Sequence, residues 1–490
     1  MRTAEPAPAG TLGAGRDSSR CAGHDSSHGA PLSPIAIDAD LRRIVGPEHV
    51  EIRPAALVPY RTDATFGFSG VPQAVVRPGS TEEVARILRW ADRHRIPIVP
   101  RGAGTSLAAG AVPVQGGVVL ALTRMDRVVA VDPVDLTAVV QPGVTTQTLA
   151  RAVAEYGLHY PPDPGSQRVS TLGGNVATNA GGLHGLKYGN TGGYVLGVEA
   201  VLADGEVIRA GGRLLKDVAG YDLVRLLTGS EGTLAVLTEL TLALRPAPAT
   251  SRTGLAYFAD LEAAGEAVRG IVAAGVLPAT LEFLDAHCVR AVESYARLGL
   301  DTTAGALLLF GDDGGAPEVD RTLHVMAETA RSHGALSVQV ATAAAESEAL
   351  LAARRCALPA LSKLGGATML EDVGVPRSRL PELVRRIDEI AARHGVTIAT
   401  FGHAGDGNAH PVGCFDPGDA RQRAAVAAAF DDVFAVAVEL GGTITGEHGV
   451  GAAKLPYLAA QLGGAQVALQ ARIKRAFDPK GILNPGKLGS

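Results

Sequence analysis

The chain has 490 residues, 46% hydrophobic and 19% charged, with a formal net charge of −5. That length exceeds what one core organises, so two or three domains are expected. The slight acidity, without a basic cluster, excludes a nucleic-acid surface, and no run approaches the roughly 18 consecutive apolar residues of a transmembrane helix.

Residues 1–34 are rich in Ala, Gly, Ser and Pro and carry almost no large apolar side chain. Such a segment buries too little surface to fold, so a disordered tail is expected, and it lacks the apolar core of a secretory signal. The next clear element is "PGSTEEVARILRWADRHRIPIVPRGAGTS". Ser80 and Glu83 form a capping box, Val84, Ile87, Leu88 and Ala91 recur at helical spacing, and Ile96 to Pro100 is a short apolar strand that runs into a glycine-rich loop. Strands are predicted at Gly117 to Leu122, Arg127 to Asp132 and Thr137 to Gly143, and a helix over Gln147 to Tyr156. "GVEAVLADGEVIRAGG" predicts a hairpin with Asp204-Gly205 supplying positive φ angles. Val236 to Leu244 alternates as a half-buried strand does, and Pro246 and Pro248 mark a boundary.

Beyond residue 249 the texture changes. Helical segments at Leu261 to Ala274, Glu346 to Leu361, Leu380 to His394 and Ala420 to Leu440 alternate with short strands such as Ala306 to Gly311. The expected division is a tail (1–34), a first domain (35–248), a second α+β domain (249–440) and a closing segment (441–490). The cysteines Cys21, Cys288, Cys356 and Cys414 are far apart and form no Cys-x-x-Cys. That argues against a thiolate-bound zinc or iron–sulfur cluster within the chain and fits a reducing, cytoplasmic compartment.

Four stretches carry chemistry. In "PRGAGTSLAAG" (Pro100 to Gly110) the glycines let backbone N–H groups approach pyrophosphate oxygens. The third position of a dinucleotide fingerprint is Leu107, however, and an ordinary strand-to-helix turn is the alternative. Pro161 to Gly193 is a long run dense in glycine, asparagine and hydroxyl residues. A folded segment this polar needs hydrogen-bond partners, which a large polar ligand supplies; a solvated loop is the alternative. "FGHAGDGNAHPVG" places His403 and His410 in a glycine-rich run that suggests a turn folding back on itself, and Glu447 in "TGEHGVG" can complete a divalent-metal set of two imidazoles and a carboxylate. Hydrogen-bonded loop histidines are the plainer alternative. His448 is a candidate general base. "GILNPGKL" near the C-terminus has P-loop glycine and lysine spacing, but Leu488 stands where Ser or Thr is required.

"GGNVATNAGG", "KDVAGYDLVRLLTGSEGTL", "EDVGVP", "GHAGDGNAHP" and "GEHGVG", in this order, resemble the blocks of FAD-linked D-2-hydroxyacid dehydrogenases, including glycolate oxidase D subunits and D-lactate dehydrogenases. These flavoproteins carry a vanillyl-alcohol-oxidase-type FAD-binding domain. The resemblance spans about residues 40 to 488. It implies an α+β fold: an FAD domain of two subdomains, a substrate or cap domain, and a C-terminal segment returning to the FAD domain. It implies FAD pyrophosphate on Arg101, Gly102, Ala103, Gly104, Thr105 and Ser106. It implies flavin and ribityl contacts from Gly165, Ser166, Thr171, Gly174, Asn175, Thr178 and Gly182, with Glu231 and Asn484 nearby. Thr105 stands where some relatives attach flavin through a histidine, so FAD is expected to be non-covalent. His403, His410 and Glu447 match residues that bind a divalent metal, with zinc expected and manganese or iron as alternatives. Arg354 matches a residue near the substrate carboxylate; the roles of Arg354 and Arg355 can be exchanged.

Val412 and Leu370 replace an asparagine and a lysine found in members acting on longer dicarboxylates, which implies a small substrate such as glycolate or D-lactate. The expected reaction binds the substrate hydroxyl on the metal, passes its proton to His448 and moves the α-hydride to flavin N5. Electrons then leave to an iron–sulfur or other acceptor partner, with the chain a homo-oligomer or a subunit of a complex that is at most peripheral to a membrane. Rival readings are an alditol or aldonolactone oxidase, a flavin-free metallohydrolase, and a non-catalytic FAD-binding subunit.

Overall fold

The computed structural model describes residues 34–490, so the expectation for the N-terminal tail falls on residues outside the described ones apart from Pro34, which opens a helix, Pro34–Val45. The first layer is a four-stranded sheet in the order Val50–Glu51, Ala74–Val76, Val118–Ala121, Ile98–Arg101. The last three strands run parallel. Parallel strands are buried on both faces, which is why they read as continuous apolar runs. Helix Thr81–His94 packs Val84, Ile87 and Leu88 into this core, and the Ser80 hydroxyl accepts the Glu83 N–H as the capping pattern predicts.

The second layer is a five-stranded antiparallel sheet, Val128–Asp132, Thr137–Val140, Val236–Ala243, Val195–Val201, Val207–Gly211. Its hairpin turn differs from the expectation. Gly205 alone has positive φ (82°), and Leu202 N–H donates to Glu206 O at 2.9 Å, so three residues close a turn with a glycine bulge. Pro246 does not end the sheet region cleanly, because Arg245–Pro246 pairs with Leu158–His159. The polar run from residue 161 to 193 is not all loop. Thr171 caps a helix, Leu172–Thr178, and a second short helix spans Gly185–Tyr188.

The third layer is an eight-stranded antiparallel sheet containing Thr250–Phe258, Ala306–Gly314, Thr280–Asp285, Thr397–His403 and Asn408–Phe415 as successive neighbours. Strand alternation divides its side chains between two cores. Leu308 and Phe310 join Ile271, Leu323, Ile387 and Phe430 on one face, while Leu307 and Leu309 join Val289, Ala353 and Leu361 on the other. The helix expected over Glu346 to Leu361 is two helices, Ala344–Arg355 and Ala357–Gly365, meeting at Cys356. Pro359 has no N–H to donate back to Arg355, so a continuous helix is interrupted there.

The chain ends by returning to the first layer. Leu483 bridges Ile98 in parallel and is fully buried in that layer's core. Ile98 N–H donates to Ile482 O and Asn484 N–H to Ile98 O, each at 2.8 Å.

Candidate active site

The glycine-rich run around His403 is a tight β-hairpin. Gly407 has φ +84, and a Cβ on Gly402 would lie 2.3 Å from Asn408 O, so neither position accepts a side chain without strain. Register pairs His403 with Asn408 and Phe401 with His410. The two imidazoles therefore share one face, with ring centroids 5.1 Å apart at 89°. Glu447 Oε1 stands 3.4 Å from Nε2 of both rings, and the ligand atoms of all three residues lie within 4.8 Å of one another. That spacing is long for a good hydrogen bond. It fits donor atoms on a shared tetrahedral ion with bonds of about 2.0–2.2 Å, whose ligands stand about 3.4 Å apart. The donor set thus fits a divalent cation.

Charge around this trio is organised by residues that sequence reasoning did not single out. Glu282, fully buried mid-strand, accepts from His403 Nδ1 at 2.7 Å and from Arg354 Nε at 2.7 Å. This fixes the His403 ring with Nε2 facing Glu447, as outer carboxylates do for metal-binding histidines. Burial pushes the His403 pKa down, but the carboxylates of Glu282 and Glu447 outweigh it and lift the pKa well above its ordinary value. Burial likewise raises Glu447, but the charges and hydrogen bonds of His403 and His410 hold it well below the usual carboxylate range. His448 lies parallel to His410 (5.1 Å, 9°), with Nε2 4.0 Å from Glu447 Oε1. Burial lowers its pKa to about 4, so its imidazole is neutral at pH 7. Asp406, beside the trio, is pushed up to about 6 by burial.

The Arg354 guanidinium lies 4.4 Å over the Phe401 ring, next to the trio. Arg355 points outward to Glu348 on the surface. Of the two arginines, Arg354 is therefore the one that lies beside the trio.

A cleft opens between the first two layers, lined by Arg101, Gly102, Thr171, Gly174 and Glu231 among others. Gly102 is required: its Cβ would meet Thr171 Oγ1 at 2.2 Å. The N-terminus of helix Leu172–Thr178 opens on the same cleft, with Thr171 accepting from Gly174 N–H. Exposed glycine backbone beside a helix N-terminus fits a pyrophosphate, so the residues present fit FAD. The Arg101 guanidinium is not free for phosphate. It donates to the carbonyls of Pro59, Thr62 and Ala111, leaving its loop's backbone as the available donor. Ala103 is exposed, and Gly104, Thr105 and Ser106 are half-buried.

Several other expected cofactor residues have their side chains engaged within the protein. Asn175 donates to Thr146 Oγ1, Thr178 to Gly174 O, and Asn484 to Gly110 O and Glu231 O. Gly165 is exposed and Ser166 half-buried on a turn. Gly182 packs against Asp163, where a Cβ would lie 2.5 Å from the carbonyl.

The glycine-rich run that lines the cleft through Thr171 and Gly174 goes on to reach the trio at Gly181. A Cβ on Gly181 would lie 2.4 Å from Glu447 Oε2. Glu282 carried one sequence signal, an acid inside the apolar strand "TLEFLD"; Gly181 carried none beyond its glycine-rich surroundings.

Residues 72–211 match the FAD binding domain family and residues 247–488 the C-terminal domain of FAD linked oxidases. The GlcD subunit of glycolate oxidase from Bacillus subtilis is 47% identical over 452 residues, 92% of this chain and 96% of that one. GlcD from Escherichia coli K12 is 38% identical (88% and 86% covered), and the D-lactate dehydrogenase of Anaerostipes hadrus 37% (85% and 89%). Among solved structures, 4-ethylphenol oxidase from Gulosibacter chungangensis superposes with a TM-score of 0.79 at 22% identity, covering 95% of this chain and 98% of that one. p-Cresol methylhydroxylase gives 0.79 at 19%, covering 92% and 96%. These neighbours share the vanillyl-alcohol-oxidase-type fold that the sequence motifs imply. With both halves matched and a near-full-length relative at 47% identity, the chain belongs to the FAD-linked oxidases, the flavoprotein oxidoreductases that include glycolate oxidase GlcD and D-lactate dehydrogenases.

Proposed function

We propose that this chain oxidises a small D-2-hydroxyacid, glycolate or D-lactate, to the 2-oxoacid, using non-covalent FAD and a divalent ion held by His403, His410 and Glu447. The observation that carries this reading is the convergence of those three residues, with Glu447 Oε1 3.4 Å from Nε2 of each histidine, against Gly181 of the glycine-rich flavin segment. A flavin-free metallohydrolase leaves the adjoining cleft without a role.

When bound, the ion (zinc, or alternatively manganese or iron) supplies Lewis acidity at the substrate oxygens, and FAD supplies at N5 the acceptor for the α-hydride. His448, neutral in its buried stack on His410, takes the hydroxyl proton at Nε2. Arg354, braced by Glu282 and the Phe401 ring, contributes the positive charge that draws the substrate carboxylate. Leu370 and Val412 are direct cross-strand partners. Two apolar side chains there offer nothing to a second carboxylate, which favours a small monocarboxylate.

In this reading residues 35–248 hold FAD, 249–440 form the substrate domain and 441–490 complete the site. The described cysteines, Cys288, Cys356 and Cys414, are free thiols. Because the GlcD relatives are named as subunits, we take the chain to act within a complex, or as a homo-oligomer, passing electrons to an iron–sulfur or other acceptor partner. No helix among the described residues is long and apolar enough to cross a membrane; the proposed setting is the cytoplasm, with any membrane association through the partner.

The test is an anaerobic visible spectrum of the purified protein, with metal analysis, before and after adding glycolate, D-lactate and L-lactate. Bleaching by glycolate or D-lactate with one divalent ion per chain is expected. Protein that takes up no flavin, or that bleaches only with an alditol and holds no metal, sinks the proposal.

A further inference from the structure

Thr445–Gly451 carries Glu447 and His448, yet it lies outside any helix or strand. Two carboxylates, drawn from different layers, hold it. Asp372 Oδ2 accepts the backbone N–H of Gly446 at 2.8 Å, Glu447 at 2.9 Å and His448 at 2.9 Å, and the Thr445 hydroxyl at 2.8 Å. Its Oδ1 accepts Asn408 Nδ2 at 2.6 Å, and Asn408 lies in the hairpin between His403 and His410. Glu231 accepts the next pair of N–H groups, Val450 and Gly451, each at 2.7 Å. It does so from a left-handed backbone, φ 54, in the turn that lines the flavin cleft.

Successive N–H groups converging on one anion form a nest, on a single oxygen of Asp372 and on the two oxygens of Glu231. Here both nests are filled by the protein's own carboxylates. Asp372 is fully buried and Glu231 nearly so, where a hydrogen bond to an ionised acceptor is strong and its loss leaves donors without partners. We propose that Asp372 and Glu231 are positioning residues that set the metal-ligand geometry before an ion arrives. Asp372 ties the histidine hairpin to the Glu447 segment, and Glu231 ties that segment to the flavin side. This rests on the metal site proposed above. An amide in place of either carboxylate turns an NH₂ group or a weaker acceptor toward backbone donors, so the segment loosens.

The test uses Asp372→Asn and Glu231→Gln in the full chain with FAD. Hydrogen exchange on metal-free protein is expected to accelerate at least about tenfold at Gly446 to His448 in the first and at Val450 and Gly451 in the second. Zinc affinity, read by chelator competition, is expected to fall about 10–100-fold in Asp372→Asn. Unchanged exchange in both variants overturns the positioning role, whatever the metal result. Altered exchange together with wild-type protein that binds no zinc, manganese or iron overturns the metal reading and leaves the positioning role standing. Altered exchange with undiminished zinc affinity refutes its link to the ligands. Should Asp372→Asn fail to fold, Thr445→Val, which removes one hydrogen bond to the same oxygen, gives the same readout in milder form: faster exchange supports the role and unchanged exchange refutes it.

Discussion

Glu282 and His403 are register partners on adjacent antiparallel strands, and their side chains meet at 2.7 Å, Oε1 to Nδ1. The other Glu282 oxygen takes Arg354 Nε. One fully buried carboxylate therefore aims the imidazole proposed to bind the metal and holds the guanidinium proposed to meet substrate.

Replacing Glu282 by Gln keeps the shape and removes the charge. Zinc affinity should fall about 10–100-fold, the usual consequence of losing an outer partner of a metal-binding histidine, while flavin content is unchanged. Chelator competition followed by the flavin spectrum checks both.

His448→Ala should leave flavin bound while substrate reduces it at least about 100-fold more slowly. With the His448 pKa lowered to about 4 by burial, the neutral base persists well below pH 6. The acid limb of the reductive half-reaction in wild type should therefore lie near pH 4, with the rate falling as pH drops through it. A limb at the ordinary histidine value, seen by stopped-flow across pH 3–8, would contradict the lowered pKa, whereas near-normal flavin reduction in His448→Ala would contradict the base assignment.

Gly181→Ala places a methyl group against Glu447 Oε2, 2.4 Å from the ideal Cβ position. Because φ here is not positive, the effect is steric alone. Overpacking of this kind costs about 1–3 kcal/mol, and it should appear as weaker zinc binding with flavin retained. Isothermal titration with zinc measures it.

Lys487 is fully buried, donating to Val112 O and Asn484 Oδ1. Burial lowers its pKa to about 8, with Glu231 opposing. Between about pH 8 and its unfolded value near 10.4 the unfolded chain holds a proton that the folded chain has released, so this group makes stability rise with pH. The stability of wild type relative to Lys487→Met should increase across that window by up to about 3 kcal/mol. Urea unfolding at pH 7, 8.5 and 10 reads the slope, and a flat difference rules the shift out.

His403, His410, Glu447 and His448 were legible because imidazoles and an acid set in glycine-rich runs are rare and local. The Ser80 cap and the alternation in Val236–Ala243 were legible for the same reason. The break at Cys356 was obscured by a helical pattern that continues on both sides of it, although Pro359 marks it in hindsight. Glu282 resembles any acid in a strand until its neighbours are known, since His403 lies 121 residues away. Asp372 and Glu231 act mostly on backbone N–H groups, which every residue but proline has, so those partners leave no trace in residue identity.

The sequence by itself determined the flavoprotein family, the glycine-rich segments and the candidate ligand side chains, because those depend on short-range spacing and on chemistry each residue carries alone. Only the tertiary structure decided that Arg354 rather than Arg355 faces the site, that Gly181 abuts Glu447, and that Glu282 aims His403. Those are contacts between distant stretches of chain, made when the sheets pack, and set by register and burial rather than by any local signal.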